Sequence, residues 1–245
     1  MGGQNRVSRL ATAAWSRRNP EIVLEHPDRE IPHVELNLRK VPRYLIDQGR
    51  LVIDKRVHGI TGRPWITAAS KALLESTLQP THVGIEFGAG GSTEWFSQRV
   101  AHVYSVDAFR HWHDALAERL AQQGVGNVDL VLACAEELGY ESAAHRDAYV
   151  NAHPQLGPES VDFVFVDGEY RDDAALRGLK LLRPGGLFVL DNANAYLRSP
   201  VSRSPWQVHK PASAKWAQFQ GEVDDWDHTW TTNGVWDTAI WIKPL

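Results

Sequence analysis

The sequence predicts an α/β fold in which a doubly wound, seven-stranded sheet ends in an antiparallel hairpin. Short runs of β-branched and aromatic residues alternate with segments of helical spacing, which is typical of parallel strands joined by crossover helices. The runs are almost entirely apolar, as expected of strands that are covered by helices on both faces of the sheet. Asn233-Gly234, a dipeptide typical of tight hairpin turns, separates the last two runs.

Five parallel strands are predicted in the middle of the chain. They lie at 82–87, 102–106, 128–132, 161–166 and 186–190. The segments between them carry apolar residues at helical spacing and charged residues on the opposite face. These helices are predicted at 92–100, 111–123, 141–152 and 172–182. The alternation therefore predicts a βαβαβαβαβ array.

The chain after Asp191 is predicted to add a short amphipathic helix and the hairpin. The helix is expected around 214–219, and the two strands at 227–232 and 236–242. Both central residues of a two-residue hairpin turn need a positive φ, which asparagine and glycine tolerate. We therefore expect an antiparallel pair to close the sheet.

Residues 1–60 are predicted to form an extension that acts as a lid, and residues 61–245 to form the main domain. The extension contains prolines that favour an irregular path: Pro20, Pro27, Pro32 and Pro42. A helix is predicted to begin after Pro64 and to end near Leu78.

The composition is that of a globular protein without a basic surface. Hydrophobic residues make up 43% of the chain and charged residues 23%, and the formal net charge is -4. Nucleic acid is therefore disfavoured as a partner. The chain has no run of 18 apolar residues, and its single cysteine, Cys134, cannot form an internal disulfide. We expect a cytoplasmic protein that does not bind membranes.

The most informative stretch follows the first parallel strand and opens a helix. It reads Glu86-Phe87-Gly88-Ala89-Gly90-Gly91-Ser92-Thr93. Glycines at this place let a ligand approach the turn closely. Two interpretations are open. A dinucleotide site requires a third glycine where Thr93 stands. An acid two positions before the first glycine, here Glu86, instead suits a ligand with an ammonium group.

Four further motifs follow in order, each beside a predicted strand. They are Asp107, Ala135-Glu136, Val166-Asp167-Gly168 and Leu182-Arg183-Pro184-Gly185-Gly186. Together with Glu-x-Gly-x-Gly, this ordered set resembles the class I S-adenosylmethionine (SAM) methyltransferases, which have a Rossmann-like fold. The resemblance covers roughly residues 60 to 245. It implies SAM as the cofactor, and it makes a homodimer an expectation.

The resemblance also implies a role for each motif. Glu86 is expected to hold the methionine amino group, and Asp107 to bind the ribose hydroxyls or, alternatively, to cap a helix. Ala135 and Glu136 are expected to contact the adenine or to form a plain loop. The complete set of expected SAM-binding residues is Glu86, Gly88, Ala89, Gly90, Ser92, Thr93, Asp107, Ala108, Ala135, Glu136 and Asp167.

Asp167, Asp191 and Asn192 follow the fourth and fifth parallel strands, whose carboxyl ends meet at one edge of the sheet. Their oxygens are of the kind that Mg²⁺ binds. The pattern resembles the catechol and bacterial sugar O-methyltransferases, which implies a Mg²⁺ ion that activates the acceptor hydroxyl. The alternative is that the two acids only position the substrate and that Asp-Asn starts a turn.

The residue that takes the proton from the acceptor is open. The catechol enzymes have a lysine three residues after the first metal-binding Asp, and this chain has Tyr170 there. The candidates are Tyr170, His145 in the preceding helix, and His209 in the loop after the fifth strand.

Tryptophans suggest the class of acceptor, because indole faces stack on sugar rings. Those considered are Trp65, Trp206, Trp216, Trp226, Trp230, Trp236 and Trp241, of which about half are expected to be structural. We predict a Mg²⁺-dependent O-methyltransferase acting on a hydroxyl of a sugar, an oligosaccharide or a glycosylated natural product. The alternative is a metal-independent N- or phenol O-methyltransferase of a small molecule. An NAD-dependent oxidoreductase and a non-catalytic SAM-binding module are further, less favoured readings.

Overall fold

The structure, a computed structural model, describes residues 22–25, 62–202, 204, 207–233 and 236–245. Its strands are β1 (Ile22–Glu25), β2 (Val83–Phe87), β3 (His102–Asp107), β4 (Val128–Leu132), β5 (Val161–Val166), β6 (Leu182–Asp191), β7 (Asp227–Thr232) and β8 (Asp237–Ile242). Its helices are α1 (Ala68–Thr77), α2 (Gly91–Ser97), α3 (Arg110–Gln122), α4 (Ala135–Leu138), α5 (Ala143–Val150), α6 (Arg171–Leu181) and α7 (Ala214–Val223). A single 3₁₀ turn, Ala193–Ala195, follows β6.

All the strands belong to one sheet, in the order β1-β7-β8-β6-β5-β2-β3-β4. The neighbours from β6 to β4 are parallel, whereas β8, β7 and β1 are antiparallel to their neighbours. The predicted doubly wound α/β fold with its C-terminal antiparallel strands is confirmed. The strand β6 begins at Leu182, earlier than predicted, because this residue pairs with Val161 of β5 ahead of a shift in register.

The strand β1 is a difference from the sequence prediction, which gave the first 60 residues an irregular path. Ile22–Glu25 pairs antiparallel with β7, and Val23 lies opposite Trp230. An edge strand has unpaired N–H and C=O groups, and a further strand satisfies them. This places an eighth strand beside the seven predicted ones. Residues 1–21 and 26–61 lie outside the described residues, so the lid and the domain boundary at residue 60 stay predictions.

Alternate residues of the central strands face opposite sides of the sheet and form two apolar cores. On one side Phe163, Phe165, Val189 and Ile240 pack with Phe96 of α2 and Leu74 of α1. On the other side Val164, Val166, Phe188, Leu190 and Trp241 pack with residues of α5, α6 and α7. Fully burying one such side chain stabilises the fold by about 1.5–3 kcal/mol. The sheet is therefore a rigid support for the loops at its carboxyl edge.

The C-terminal hairpin that the two alternating apolar runs predicted is present. The strands β7 and β8 pair from Asp227–Ile242 to Thr232–Asp237, and the backbone N–H of Asn233 donates to the carbonyl of Trp236 at 3.1 Å. Asn233 is not among the described residues with a positive φ, so the prediction is wrong for this residue. Gly234 lies outside the described residues, so its predicted positive φ stays a prediction. Within the described ranges, no helix is both long enough and apolar enough to cross a membrane.

Candidate functional site

A cavity of about 710 Å³ lies at the carboxyl ends of β2, β3, β5 and β6. Its size is in the usual range for a small-molecule site. Nine of the residues predicted to bind SAM or a metal line it: Gly88, Ala89, Gly90, Ser92, Asp107, Ala108, Asp167, Asp191 and Asn192. Parallel strands carry their carboxyl ends to one edge, and this brings together motifs that are far apart in the sequence.

The turn after β2 packs tightly against the turn after β5. Gly88 has a φ of 110°, in the region that favours glycine. A Cβ at Gly88 would lie 2.5 Å from the backbone nitrogen of Gly168. The backbone N–H of Asp167 also donates to the carbonyl of Phe87 at 2.9 Å. The absence of a side chain at Gly88 is therefore required by the approach of the Gly168 backbone.

Glu86 lies beneath this turn and is completely buried. Its Oε2 accepts hydrogen bonds from the hydroxyls of Thr93 at 2.5 Å and Ser105 at 2.7 Å. Its Oε1 is buried and accepts no hydrogen bond from the described residues. Burial raises the pKa of Glu86 to about 7, although neighbouring hydroxyls act in the opposite direction. Glu86 is thus about half protonated at neutral pH, and its Oε1 is an acceptor with no partner among the described residues.

Asp107 ends β3 at the wall of the cavity. Its Oδ1 accepts a hydrogen bond from the backbone N–H of Phe109 at 2.8 Å. Phe109 is the N-cap residue of α3 and no described side chain caps this helix, so the alternative prediction that Asp107 is a helix cap is wrong. Burial raises the pKa of Asp107 to about 6. Trp112, in the first turn of α3, donates from Nε1 to the carbonyl of Ala89 at 2.8 Å. This bond ties the indole to the glycine turn, so that Trp112 forms part of the same wall.

Arg171, at the start of α6, lies among the three residues predicted to hold a metal. Its Nε donates to the carbonyl of Gly168 at 2.9 Å. Its Nη2 donates to the carbonyl of Asp167 at 2.6 Å and to Oδ1 of Asp167 at 2.9 Å. Its Nη1 donates to the carbonyl of Asp191 at 2.8 Å and to Oδ1 of Asn192 at 3.2 Å. The guanidinium therefore joins the ends of β5 and β6.

The carboxyl group of Asp191 is engaged elsewhere. Its Oδ1 accepts a hydrogen bond from the Thr238 hydroxyl of β8 at 2.7 Å. Burial, and then the charge of Asp167, raise the pKa of Asp191 well above its usual range. Among the described residues, no group of three or more His, Cys, Asp or Glu side chains is placed to hold a metal ion. With Arg171 bonded to Asp167 and Asn192, this arrangement does not fit the predicted Mg²⁺ site.

The residues predicted as the base lie away from the cavity lining. His145 is fully buried, and its Nε2 donates to the carbonyl of Ala133 at 3.1 Å, since a carbonyl can only accept. Its Nδ1 then accepts from the hydroxyl of Tyr170 at 2.7 Å. Tyr170 has a φ of 45°, a left-handed conformation at the start of α6. His209 is exposed on the loop after β6. The cavity lining contains none of the three.

The predicted adenine-binding pair also lies outside the cavity lining. Ala135 and Glu136 begin the short helix α4, where a loop was the alternative prediction. Ala135 is buried and its backbone N–H donates to the carbonyl of Ala108 at 2.9 Å. Glu136 is exposed and accepts a bond from Sγ of Cys134 at 3.2 Å. In this structure α4 therefore supports the wall that Ala108 lines.

The tryptophans divide into core and cavity residues. Trp216, Trp230 and Trp241 are buried in the core. Trp65 and Trp236 line the cavity, and Trp65 lies 6.0 Å from Trp112 between ring centroids. Trp206 lies outside the described residues. Two of the seven tryptophans considered from the sequence therefore face the cavity.

The cavity lining includes six further residues that were not predicted from the sequence. They are Arg63, His111, Trp112, Tyr149, Glu169 and Arg171. A signal was present for Arg171, because it stands four residues after Asp167 at the start of a helix, where a guanidinium can reach back to a carboxylate. The sequence indicates Trp112 less clearly: it stands in the first turn of α3, the helix that follows β3.

Comparisons of sequence provide no relatives for this chain. No protein-family model matches it, and no curated protein matches it either.

Comparisons of structure do find similar folds. A methyltransferase-like protein from Silicibacter pomeroyi has a TM-score of 0.51 and 21% identity, and the match covers 76% of this chain and 91% of that one. A SAM-dependent methyltransferase from Aquifex aeolicus has a TM-score of 0.44 and 14% identity, covering 80% and 97%. An rRNA methylase from Streptococcus thermophilus has a TM-score of 0.44 and 16% identity, covering 72% and 95%. At these identities the first likeness shows a shared fold, and it does not show a shared activity.

Proposed function

We propose that this protein is a SAM-dependent methyltransferase whose cofactor binds in the 710 Å³ cavity. The observation that carries this proposal is the convergence of the glycine turn after β2 and Asp107 after β3 on one cavity wall. The fold shared with a methyltransferase-like protein supports it. In open α/β sheets, ligands bind at this edge, where the strand order reverses between β2 and β5.

The residues of this wall fit the chemical groups of SAM. Gly88 and Gly90 line the cavity, and a backbone without side chains at a turn allows the close approach proposed for the methionine part of the ligand. Glu86 is completely buried below the turn and is not one of the residues that line the cavity; its Oε1 is the acceptor proposed for the ammonium group. We propose that Asp107 accepts hydrogen bonds from the ribose hydroxyls and that Trp112, which lines the same cavity, contacts the ligand with its indole face.

The acceptor is proposed to bind over β5 and β6, next to the methyl group that SAM supplies. Asp167 lines this end of the cavity, and Arg171 holds its carboxylate in one orientation. We assign to Asp167 the hydrogen bond that orients the acceptor hydroxyl and receives its proton as the methyl group transfers. His145 is not assigned this role, because both of its ring nitrogens are bonded within the protein.

The acceptor class proposed is a hydroxyl of a sugar or of a glycosylated small molecule. Trp236 supports this choice: it lines the cavity, and 37% of its surface is exposed. The net charge of -4 argues against a nucleic acid acceptor. The second candidate function is a metal-independent transfer to a phenol or an amine. Arg171 favours a transfer without a metal ion, because its guanidinium is bonded to the oxygens that would bind Mg²⁺.

The test has two stages. Calorimetric titration with S-adenosylhomocysteine comes first, and saturable binding to the wild-type protein is expected. Labelled SAM is then offered with panels of sugars, phenols and amines, each with and without EDTA. Transfer to sugars that is insensitive to EDTA is the expected result. Transfer to phenols or amines alone would move the acceptor assignment to the second candidate, and lack of S-adenosylhomocysteine binding would contradict the whole proposal.

A further inference from the structure

The environment of Arg171 resembles the oxygen shell of a divalent cation. Five oxygens surround the guanidinium, three from Asp167 and Gly168 at the end of β5 and two from Asp191 and Asn192 at the end of β6. Such hard oxygens, from carbonyls, a carboxylate and an amide, are the ligands that Mg²⁺ and Ca²⁺ take in proteins. The chain itself therefore places a cation, the guanidinium of Arg171, among these five oxygens.

The guanidinium uses its full capacity as a donor. An arginine has five N–H groups, and the five bonds from Nε, Nη1 and Nη2 account for all of them. Only 14% of the Arg171 side chain is exposed, so these bonds are sheltered from water. Bonds of a planar guanidinium to several acceptors fix its orientation more strongly than a single ion pair would.

The neighbouring acid does not compete for this cation. The Asp191 side chain accepts from Thr238, and only its backbone carbonyl reaches Arg171. Asn192 has a φ of 53°, a left-handed conformation that asparagine tolerates, and its Oδ1 accepts from the guanidinium. A divalent ion at this place would stand beside a buried positive charge, which is electrostatically unfavourable.

We propose that Arg171 takes the place of a divalent cation at the carboxyl ends of β5 and β6, holding the two strand ends together and fixing the carboxylate of Asp167 at the cavity. Arg171 is a positioning residue, since its donors all end on protein oxygens. The part of this inference that concerns the acceptor rests on the proposed function. The part that concerns the cation does not.

The test measures binding of Mn²⁺ to the full chain, because Mn²⁺ accepts the same oxygen ligands as Mg²⁺ and is detected directly by electron paramagnetic resonance. The wild-type protein, Arg171→Ala, Arg171→Lys and Arg177→Ala are compared. Arg177 is the matched control, since it lies on the same helix and donates to the carbonyl of Leu156 away from the cavity. Circular dichroism establishes that each variant is folded.

The expected result is a gain of saturable Mn²⁺ binding in Arg171→Ala alone. Arg171→Lys is expected to exclude Mn²⁺ as the wild type does, because it keeps a positive charge among the oxygens. A residue that mattered only for packing would not separate alanine from lysine in this way. The gained binding is expected to be lost when Asp167→Asn is added to Arg171→Ala.

Two results would overturn the inference. One is saturable Mn²⁺ binding by the wild type that Asp167→Asn removes, which would mean that a metal displaces the guanidinium. The other is a folded Arg171→Ala protein that binds no Mn²⁺. If Arg171→Ala does not fold, the wild type and Arg171→Lys still decide, since binding by either one contradicts the proposal. S-adenosylhomocysteine binding is measured on the same samples, so failure of the proposed function is seen separately.

Discussion

Replacing Glu86 by glutamine tests the electrostatics beneath the glycine turn. Glu86 is completely buried, and its pKa is raised from 4.5 to about 7, chiefly by burial. Glutamine keeps the shape of the side chain and accepts the hydroxyl bonds of Thr93 and Ser105, but it does not ionise. The substitution therefore removes the cost of a buried charge and little else.

The sign and size of the effect follow from linkage. The folded state holds its proton up to about pH 7, whereas the unfolded chain loses it near pH 4.5. Between these values the unfolded state binds fewer protons, so the stability of the wild type falls as the pH rises and then stays low. A rise in pKa of about 2.5 corresponds to roughly 3 kcal/mol, at about 1.4 kcal/mol for each pKa unit. The free energy of unfolding of Glu86→Gln should not fall with rising pH in this way.

The assay is urea unfolding at pH 5 and pH 8, without ligand, for the wild type, Glu86→Gln and Glu118→Gln. Glu118 is an exposed glutamate of α3 and serves as the matched control. At pH 8 the Glu86 variant is expected to gain roughly 2.5 kcal/mol relative to the wild type, compared with its difference at pH 5, because the unfolded glutamate is already mostly ionised at pH 5. Equal differences at both pH values would refute the reasoning, because Glu86 would then be ionised in the folded protein throughout.

Three further predictions concern the cavity. Asp107→Asn should weaken S-adenosylhomocysteine binding by about ten- to a hundredfold in calorimetry, because bonds to a carboxylate contribute about 1.5–3 kcal/mol. Substitution of the exposed Asp114 by asparagine should leave this binding unchanged. An equal effect of both substitutions would contradict the assignment of Asp107 to the ribose. Gly88→Ala should lower the melting temperature and abolish ligand binding, since its Cβ would lie 2.5 Å from a neighbouring backbone nitrogen, whereas Gly126→Ala has open space; a normal melting temperature for Gly88→Ala would argue against this close approach. Trp236→Ala should raise the KM for a sugar acceptor and leave cofactor binding unchanged, and an unchanged KM would remove the stacking role.

The strands were predictable because burial on both faces leaves a plain signature in the sequence. β5, VDFVFV, is buried throughout, and five of its six residues are β-branched or aromatic, which favours a strand. β1 was not predictable in the same way. Its partner β7 lies some 200 residues away in the sequence, and only the assembled sheet shows that β7 has a free edge with which β1 can pair.

The candidate site was partly predictable for a related reason. Glycines and acids at strand ends are positions where the backbone needs freedom or a ligand needs charge, and five of those predicted line one cavity: Gly88, Gly90, Asp107, Asp167 and Asp191. The predicted roles of His145 and Tyr170 depended on where side chains point. Tyr170 has a left-handed backbone conformation, and its hydroxyl bonds the buried imidazole of His145. Neither side chain lines the cavity.

The strands β2 to β8, the glycine turn and the acids at the carboxyl edge are predictable from the sequence, because periodicity and spacing are local properties of the chain. The sequence also indicates that Arg171 can reach Asp167, but only the tertiary structure shows that its guanidinium joins the ends of β5 and β6. Asp167 and Asn192 are separated in sequence, and the guanidinium of Arg171 reaches both only because β5 and β6 are neighbours. Hydrogen bonds between distant residues depend on geometry of a few tenths of an ångström, which no pattern of residue types specifies.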